Sequence, residues 1–134
     1  MEKHKLLLID DEDSIITSYS ALLAPYFIVD TCSTVEEGIL QLSLKDYSIA
    51  VIDMQFPSDK EGGLSIVKHI AAMNMPTKAI VLTAYGTVKN CKKNYEVGVY
   101  DYIEKGKDDT PQTLLEKALE ASGNSHKGGS SNES

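Results

Sequence analysis

The sequence predicts an α/β fold: a doubly wound parallel sheet of five strands, covered by helices on both faces in three layers. Short apolar runs alternate with longer segments of helical period, the pattern of repeated βα units. Three of those runs are apolar almost throughout instead of alternating, as strands buried on both faces must be. Acidic residues, a threonine and a lysine stand at the ends of the runs, where a parallel sheet of this kind gathers its ligand site.

The expected strands cover residues 5–9, 27–32, 48–52, 77–82 and 100–103, and the first, third and fourth are expected to be central. Between the first two, Ile15, Tyr19, Leu22 and Leu23 repeat at helical spacing and Pro25 stops the segment. Thr34 with Glu37 forms a capping box ahead of Ile39, Leu40 and Leu42, which predicts the second helix. Leu64, Val67, Ile70 and Ala71 mark the third, closed by Met75-Pro76. A fourth over 87–96 carries Val88, Cys91 and Tyr95 on one side, with Gly98 as its C-terminal cap, and is expected to be the most mobile. The fifth starts with Thr110 as cap and Pro111 at the first helical position, and buries Leu114, Leu115, Ala118 and Leu119. The pattern is (βα)₅.

At 134 residues the chain holds one ordinary core, and its 42% hydrophobic content is enough to fill it. The folded domain is expected over 1–121. Residues 122–134, rich in Gly, Ser and Asn, read as a flexible tail or linker. The longest apolar runs, 6–9 and 49–52, fall far short of the roughly 20 residues that span a bilayer, so no membrane association is expected. Met1 is followed by charged residues and a strand-like run, not by an apolar leader, which predicts a cytoplasmic protein. Cys32 and Cys91 lack the spacing of a zinc site and read as buried thiols. A formal charge of -7 argues against direct nucleic-acid binding.

The strand ends carry the chemistry. The first ends in Asp10, Asp11, Glu12 and Asp13, the third in Asp53, the fourth in Thr83 and the fifth in Lys105. An acidic run ahead of a helix also complements the helix dipole, so Asp10 and Asp11 alone would not indicate a metal. Converging on one sheet edge with Asp53, they favour a hard cation with oxygen ligands such as Mg²⁺. Asp53 follows the rigid run Ile49 to Ile52 and can act as a carboxylate nucleophile that forms an aspartyl phosphate. Thr83 can donate its hydroxyl to a phosphoryl oxygen, and Lys105 can neutralise charge on the transferring group.

These segments, "LLLIDDED", "AVIDMQFP", "IVLTAYG" and "GVYDYIEKG", resemble the signature segments of the response-regulator receiver family, in order and over residues 5–121. The resemblance implies a flavodoxin-like sheet of order 2-1-3-4-5. It implies that Asp53 is the phosphoacceptor, that Asp11 and Asp53 bind Mg²⁺ directly with the Gln55 backbone carbonyl, and that Asp10 acts through water. Thr83, Ala84, Lys105 and Tyr102 become the phosphoryl-binding and switch set, with Tyr102 as the rotating aromatic. Read without the resemblance, Tyr102 is an ordinary aromatic on a short edge strand.

The function so implied is that of a signalling phosphoacceptor rather than an enzyme. It takes a phosphoryl group from a sensor histidine kinase, a phosphotransfer protein or acetyl phosphate. It then switches the surface of the fourth helix, fifth strand and fifth helix toward a downstream output domain or protein. A homodimer formed on phosphorylation is compatible with this. Two alternatives are a receiver-like interaction module that carries no phosphate, and an aspartyl-phosphate phosphatase of haloacid dehalogenase type. For the latter Asp11 and Asp13 match the acid spacing loosely, but no cap domain fits in the chain. Two departures from the family pattern stand out. The segment "DMQFPSDKEGG" is about two residues longer than the family's common loop, implying a later third helix and a more exposed loop. Gly106 also stands where the family has proline after its lysine. A cis bond before a non-proline residue costs about 2.5–4 kcal/mol, so a trans Lys105–Gly106 bond is predicted. Gly106 is then expected to adopt a glycine-specific conformation that keeps Lys105 aimed at Asp53.

Overall fold

Five parallel strands pair in the order β2-β1-β3-β4-β5 in a computed structural model that describes residues 3–54, 56, 62–83 and 99–123. The strands are β1 (His4–Ile9), β2 (Phe27–Cys32), β3 (Ile49–Asp53), β4 (Lys78–Thr83) and β5 (Val99–Glu104). Three helices alternate with the first four strands: α1 (Asp13–Leu23), α2 (Val35–Leu44) and α3 (Gly62–Ala72); the C-terminal helix is Thr110–Ala121. The three apolar strands β1, β3 and β4 are interior, as their composition requires. The expected fourth helix, with Cys91 and Gly98, lies outside the described residues, as do Gln55, Ala84 and 124–134. No described helix is long and apolar enough to cross a membrane.

Alternation along each strand divides the core into two layers. Leu6 and Leu8 of β1 and Ile49 and Val51 of β3 face α1 and the C-terminal helix, joining Tyr19, Leu23, Leu114 and Ala118. Leu7 and Ile9, with Ala50 and Ile52, face α2 and α3, joining Leu42, Ile66, Val67 and Ile70. A β-bulge interrupts β5: Ala79 pairs with Val99 and Ile80 with Asp101, leaving Tyr100 unmatched. The extra residue reverses the alternation, so Tyr100 packs on the first layer and Tyr102 on the second, although two positions apart.

Three local expectations are corrected. Thr34 Oγ1 accepts the Glu37 N–H at 3.1 Å, but Glu37 returns its carboxylate to the Ser33 N–H at 3.2 Å, one residue before the cap. The third helix ends before Met75-Pro76. Asn74 takes a left-handed conformation (φ 52°) and its N–H reaches Ala71 O, while Met75 N–H reaches Ile70 O. That is a Schellman closure, and asparagine tolerates the required dihedral well enough to end the helix without the proline. Thr110 does not cap the last helix; it is the first helical residue, after Asp109. Its buried hydroxyl donates to Glu104 O at 2.7 Å and accepts from Lys107 N–H at 3.0 Å, bracing the turn that carries Lys105.

Candidate functional site

Strand register brings the chemical residues to one edge. Ile9 is level with Ile52, so Asp10 and Asp53, the next residue on each strand, emerge side by side. Asp53 is level with Leu82, which sets Thr83 one step beyond it on β4; Thr83 is in turn level with Glu104, and Lys105 follows. Backbone bonds lock the ends: Asp10 N–H to Cys32 O (3.1 Å), Met54 N–H to Leu82 O (2.9 Å) and Lys105 N–H to Thr83 O (2.7 Å).

One carboxylate oxygen from each of Asp10, Asp11 and Asp53 lies within 4.8 Å of the others. Asp10 is fully buried and Asp53 is 5% exposed, while Asp11 is half-buried nearer the surface. Lys105 Nζ spans the two buried acids, 3.1 Å from Asp10 Oδ2 and 3.2 Å from Asp53 Oδ1, and reaches Glu12 Oε1 at 3.4 Å. Burial alone would lower the Lys105 pKa, but Asp53 and then Asp10 outweigh it and hold the ammonium well above its usual range. Lys105 is charged at any physiological pH. All-oxygen donors at this spacing fit a hard divalent cation such as Mg²⁺, which relieves the repulsion one ammonium leaves uncancelled.

Thr83 is fully buried, and its hydroxyl has no hydrogen-bond partner among the described residues. A buried hydroxyl left without a partner is costly. Tyr102 is half-buried on the α2–α3 face and lines a cavity of about 250 Å³ with Thr110 and Thr113. Gly106 has φ +86° and every described peptide bond is trans, so the predicted bond geometry and the aim of Lys105 at Asp53 both hold. Cys32 is buried, and its thiol is pushed up to about 11, chiefly by loss of solvation.

Two contributors are not apparent from the sequence alone. A Cβ on Gly63 would stand 2.4 Å from Asp53 O and 2.8 Å from Met54 Cα, so only glycine lets α3 abut the end of β3. The one visible signal is the Gly62-Gly63 pair. Glu12 stands within an acidic run, and nothing in the run marks its contact to Lys105.

Fold and site together define a doubly wound α/β domain with an acidic cluster and a lysine at the carboxyl edge of its sheet. A family model for the response regulator receiver domain matches residues 6–119, and the chain belongs to that family. The acid tolerance regulatory protein ActR of Rhizobium meliloti (strain 1021) is 30% identical over 104 residues, 77% of this chain and 53% of ActR. The transcriptional regulatory protein DltR of Streptococcus agalactiae serotype III (strain NEM316) is 30% identical over 102 residues, 75% of this chain and 45% of DltR. The chain thus spans about half the length of these curated relatives. Among solved structures, the CheY-like receiver domain protein of Methanospirillum hungatei JF-1 superposes with TM-score 0.81 at 25% identity, covering 91% of this chain and 95% of that one. The receiver domain protein of Clostridium thermocellum gives 0.77 at 27% identity, covering 90% and 94%.

Proposed function

We propose that this receiver domain accepts a phosphoryl group on Asp53, in a Mg²⁺-dependent transfer from a kinase or phosphotransfer phosphohistidine or from acetyl phosphate. The observation that carries the reading is the bridge from Lys105 to Asp53 and Asp10 beside a Thr83 hydroxyl that has no partner among the described residues. Asp11 and Asp53 would hold Mg²⁺ directly, Asp10 through water, with the Gln55 carbonyl as a further ligand; when bound, the ion neutralises phosphoryl charge. An Asp53 oxygen attacks phosphorus in line while the bond from phosphorus to the donor's imidazole nitrogen or acetyl oxygen breaks, and the imidazole or acetate leaves with that electron pair. Lys105 then follows the charge from the carboxylate onto the phosphoryl oxygens, and Thr83 donates its hydroxyl to one of them.

That movement supplies the switch. Drawing Thr83 toward the phosphoryl group lets Tyr102 turn inward, changing the surface around β5 and the C-terminal helix that an output domain or protein reads. A cytoplasmic setting with a sensor kinase upstream goes with this role. Intact-mass measurement after acetyl phosphate and Mg²⁺ tests it. One added phosphoryl mass that vanishes with EDTA is expected; no adduct under saturating donor and Mg²⁺ would refute the reading.

A further inference from the structure

Glu12 has no part in the mechanism above, yet its backbone is clamped. Its N–H is held by Asp10 Oδ1 at 2.9 Å, and its carbonyl accepts the Ile16 N–H at 3.0 Å. It occupies the N-cap position of α1 without a side-chain cap bond. An aspartate there would ordinarily bond the free N–H groups of the first turn; the longer glutamate is not a preferred cap. Its carboxylate instead turns to Lys105, with Oε1 3.4 Å from Nζ, while the side chain stays 59% exposed. Lys105 therefore serves three carboxylates, two buried and one at the mouth.

We infer that Glu12 is a positioning and specificity residue for phosphoryl transfer. It shares Lys105 in the resting state, yields it when the phosphoryl group arrives, and places a negative charge across the entrance. The inference rests on the reading of Asp53 as phosphoacceptor. Lys105 meets Asp10, Glu12 and Asp53, and Asp11 lies within 4.8 Å of Asp10 and Asp53; with four carboxylates and one ammonium, a divalent cation still leaves the set one negative charge in excess. Removing the Glu12 charge would make it neutral. Of the three Lys105 contacts, that to Glu12 is the exposed one and costs least to release. The class of donor disfavoured is a free, doubly charged small phosphate ester or anhydride. The class favoured is a phosphoryl group on a protein imidazole, whose docking surface offsets the repulsion.

The experiment compares wild type, Glu12→Gln and Glu12→Asp at saturating Mg²⁺ by intact-mass time courses, using acetyl phosphate (doubly charged) and phosphoramidate (singly charged). With acetyl phosphate, the bond from phosphorus to the acetyl oxygen breaks, acetate leaves with its electron pair, and an Asp53 oxygen supplies the pair for the new bond. Glu12→Gln is expected to speed acetyl phosphate about three- to tenfold, the effect of one charge on a dianion several ångström away in water, with a clearly smaller gain for phosphoramidate. The gain should collapse in about 1 M KCl, where the screening length falls from about 10 Å to about 3 Å. Glu12→Asp keeps the charge and should stay within about twofold of wild type. An equal gain for both donors, a salt-independent gain or no gain would overturn the inference while leaving Asp53 as phosphoacceptor. If wild type takes no phosphoryl group from either donor, the Asp53 reading fails and the role of Glu12 falls with it. Calorimetric titration with Mg²⁺ gives a second readout: loss of affinity in Glu12→Gln beyond about tenfold would make Glu12 a metal ligand and refute its role as a positioning residue.

Discussion

Lys105 Nζ stands 3.2 Å from Asp53 Oδ1 although their strands are not neighbours; β5 meets β3 only across β4. The lysine makes that span because the Thr83 carbonyl anchors its backbone and Thr110 braces the turn behind it. Replacing Lys105 with Met should leave two buried carboxylates uncompensated. A loss of about 1–3 kcal/mol is expected, below the full value for a buried pair because 18% of the lysine side chain is exposed. Mg²⁺ should return part of it by binding the folded state. Since the folded pKa of Lys105 lies above the unfolded value of 10.5, its stabilising effect is complete below that pH and is lost as pH rises through the folded value. Thermal melts of wild type and Lys105→Met should therefore differ by a constant gap from pH 7 to about 10 and converge in stronger alkali.

The Thr83 hydroxyl gives a prediction of opposite sign. Val matches its shape without the orphan oxygen, so Thr83→Val should stabilise the unphosphorylated domain by about 1 kcal/mol in urea melts. The same variant should still take up phosphate yet show smaller NMR shifts at Tyr102 than wild type. A destabilised variant, or an undiminished Tyr102 response, would show that the hydroxyl has another partner or no part in coupling.

Much of this site was legible in the chain because parallel strands deliver their C-terminal residues to one edge. Asp10, Asp53, Thr83 and Lys105 each sit just beyond or at the end of an apolar run, and register did the rest. The central placement of β1, β3 and β4 also follows from apolarity, since none of the three carries a polar face. What period could not reveal was geometry decided by single residues. The β5 bulge sends Tyr100 and Tyr102 to opposite layers, which strict alternation cannot anticipate. Asn74 ends α3 through its own left-handed backbone, ahead of the more conspicuous Pro76. Thr110 resembles a cap by position but spends its hydroxyl on Glu104 and Lys107.

Gly63 yields a packing prediction. Its missing Cβ lies against backbone, which cannot turn away as a side chain can; the atoms nearest a Cβ on Gly38 belong to the Ile9 side chain, with Cδ1 3.0 Å away. Gly63→Ala should cost about 1–3 kcal/mol and displace the end of β3 enough to slow phosphorylation of the folded protein. Gly38→Ala should cost less and leave the rate alone. Equal melting temperatures and rates for the two variants would show that Gly63 does not set the position of Asp53.

The central claim is that Asp53 carries the phosphoryl group. An acyl phosphate, unlike a free carboxylate, is reduced by borohydride to the alcohol, which converts the modified aspartate to homoserine. The domain would be treated with acetyl phosphate and Mg²⁺, reduced, digested and sequenced by tandem mass spectrometry. Homoserine at position 53, absent without donor and absent from Asp53→Asn, is the predicted result; homoserine at Asp10 or Asp11 with Asp53 unmodified would contradict it.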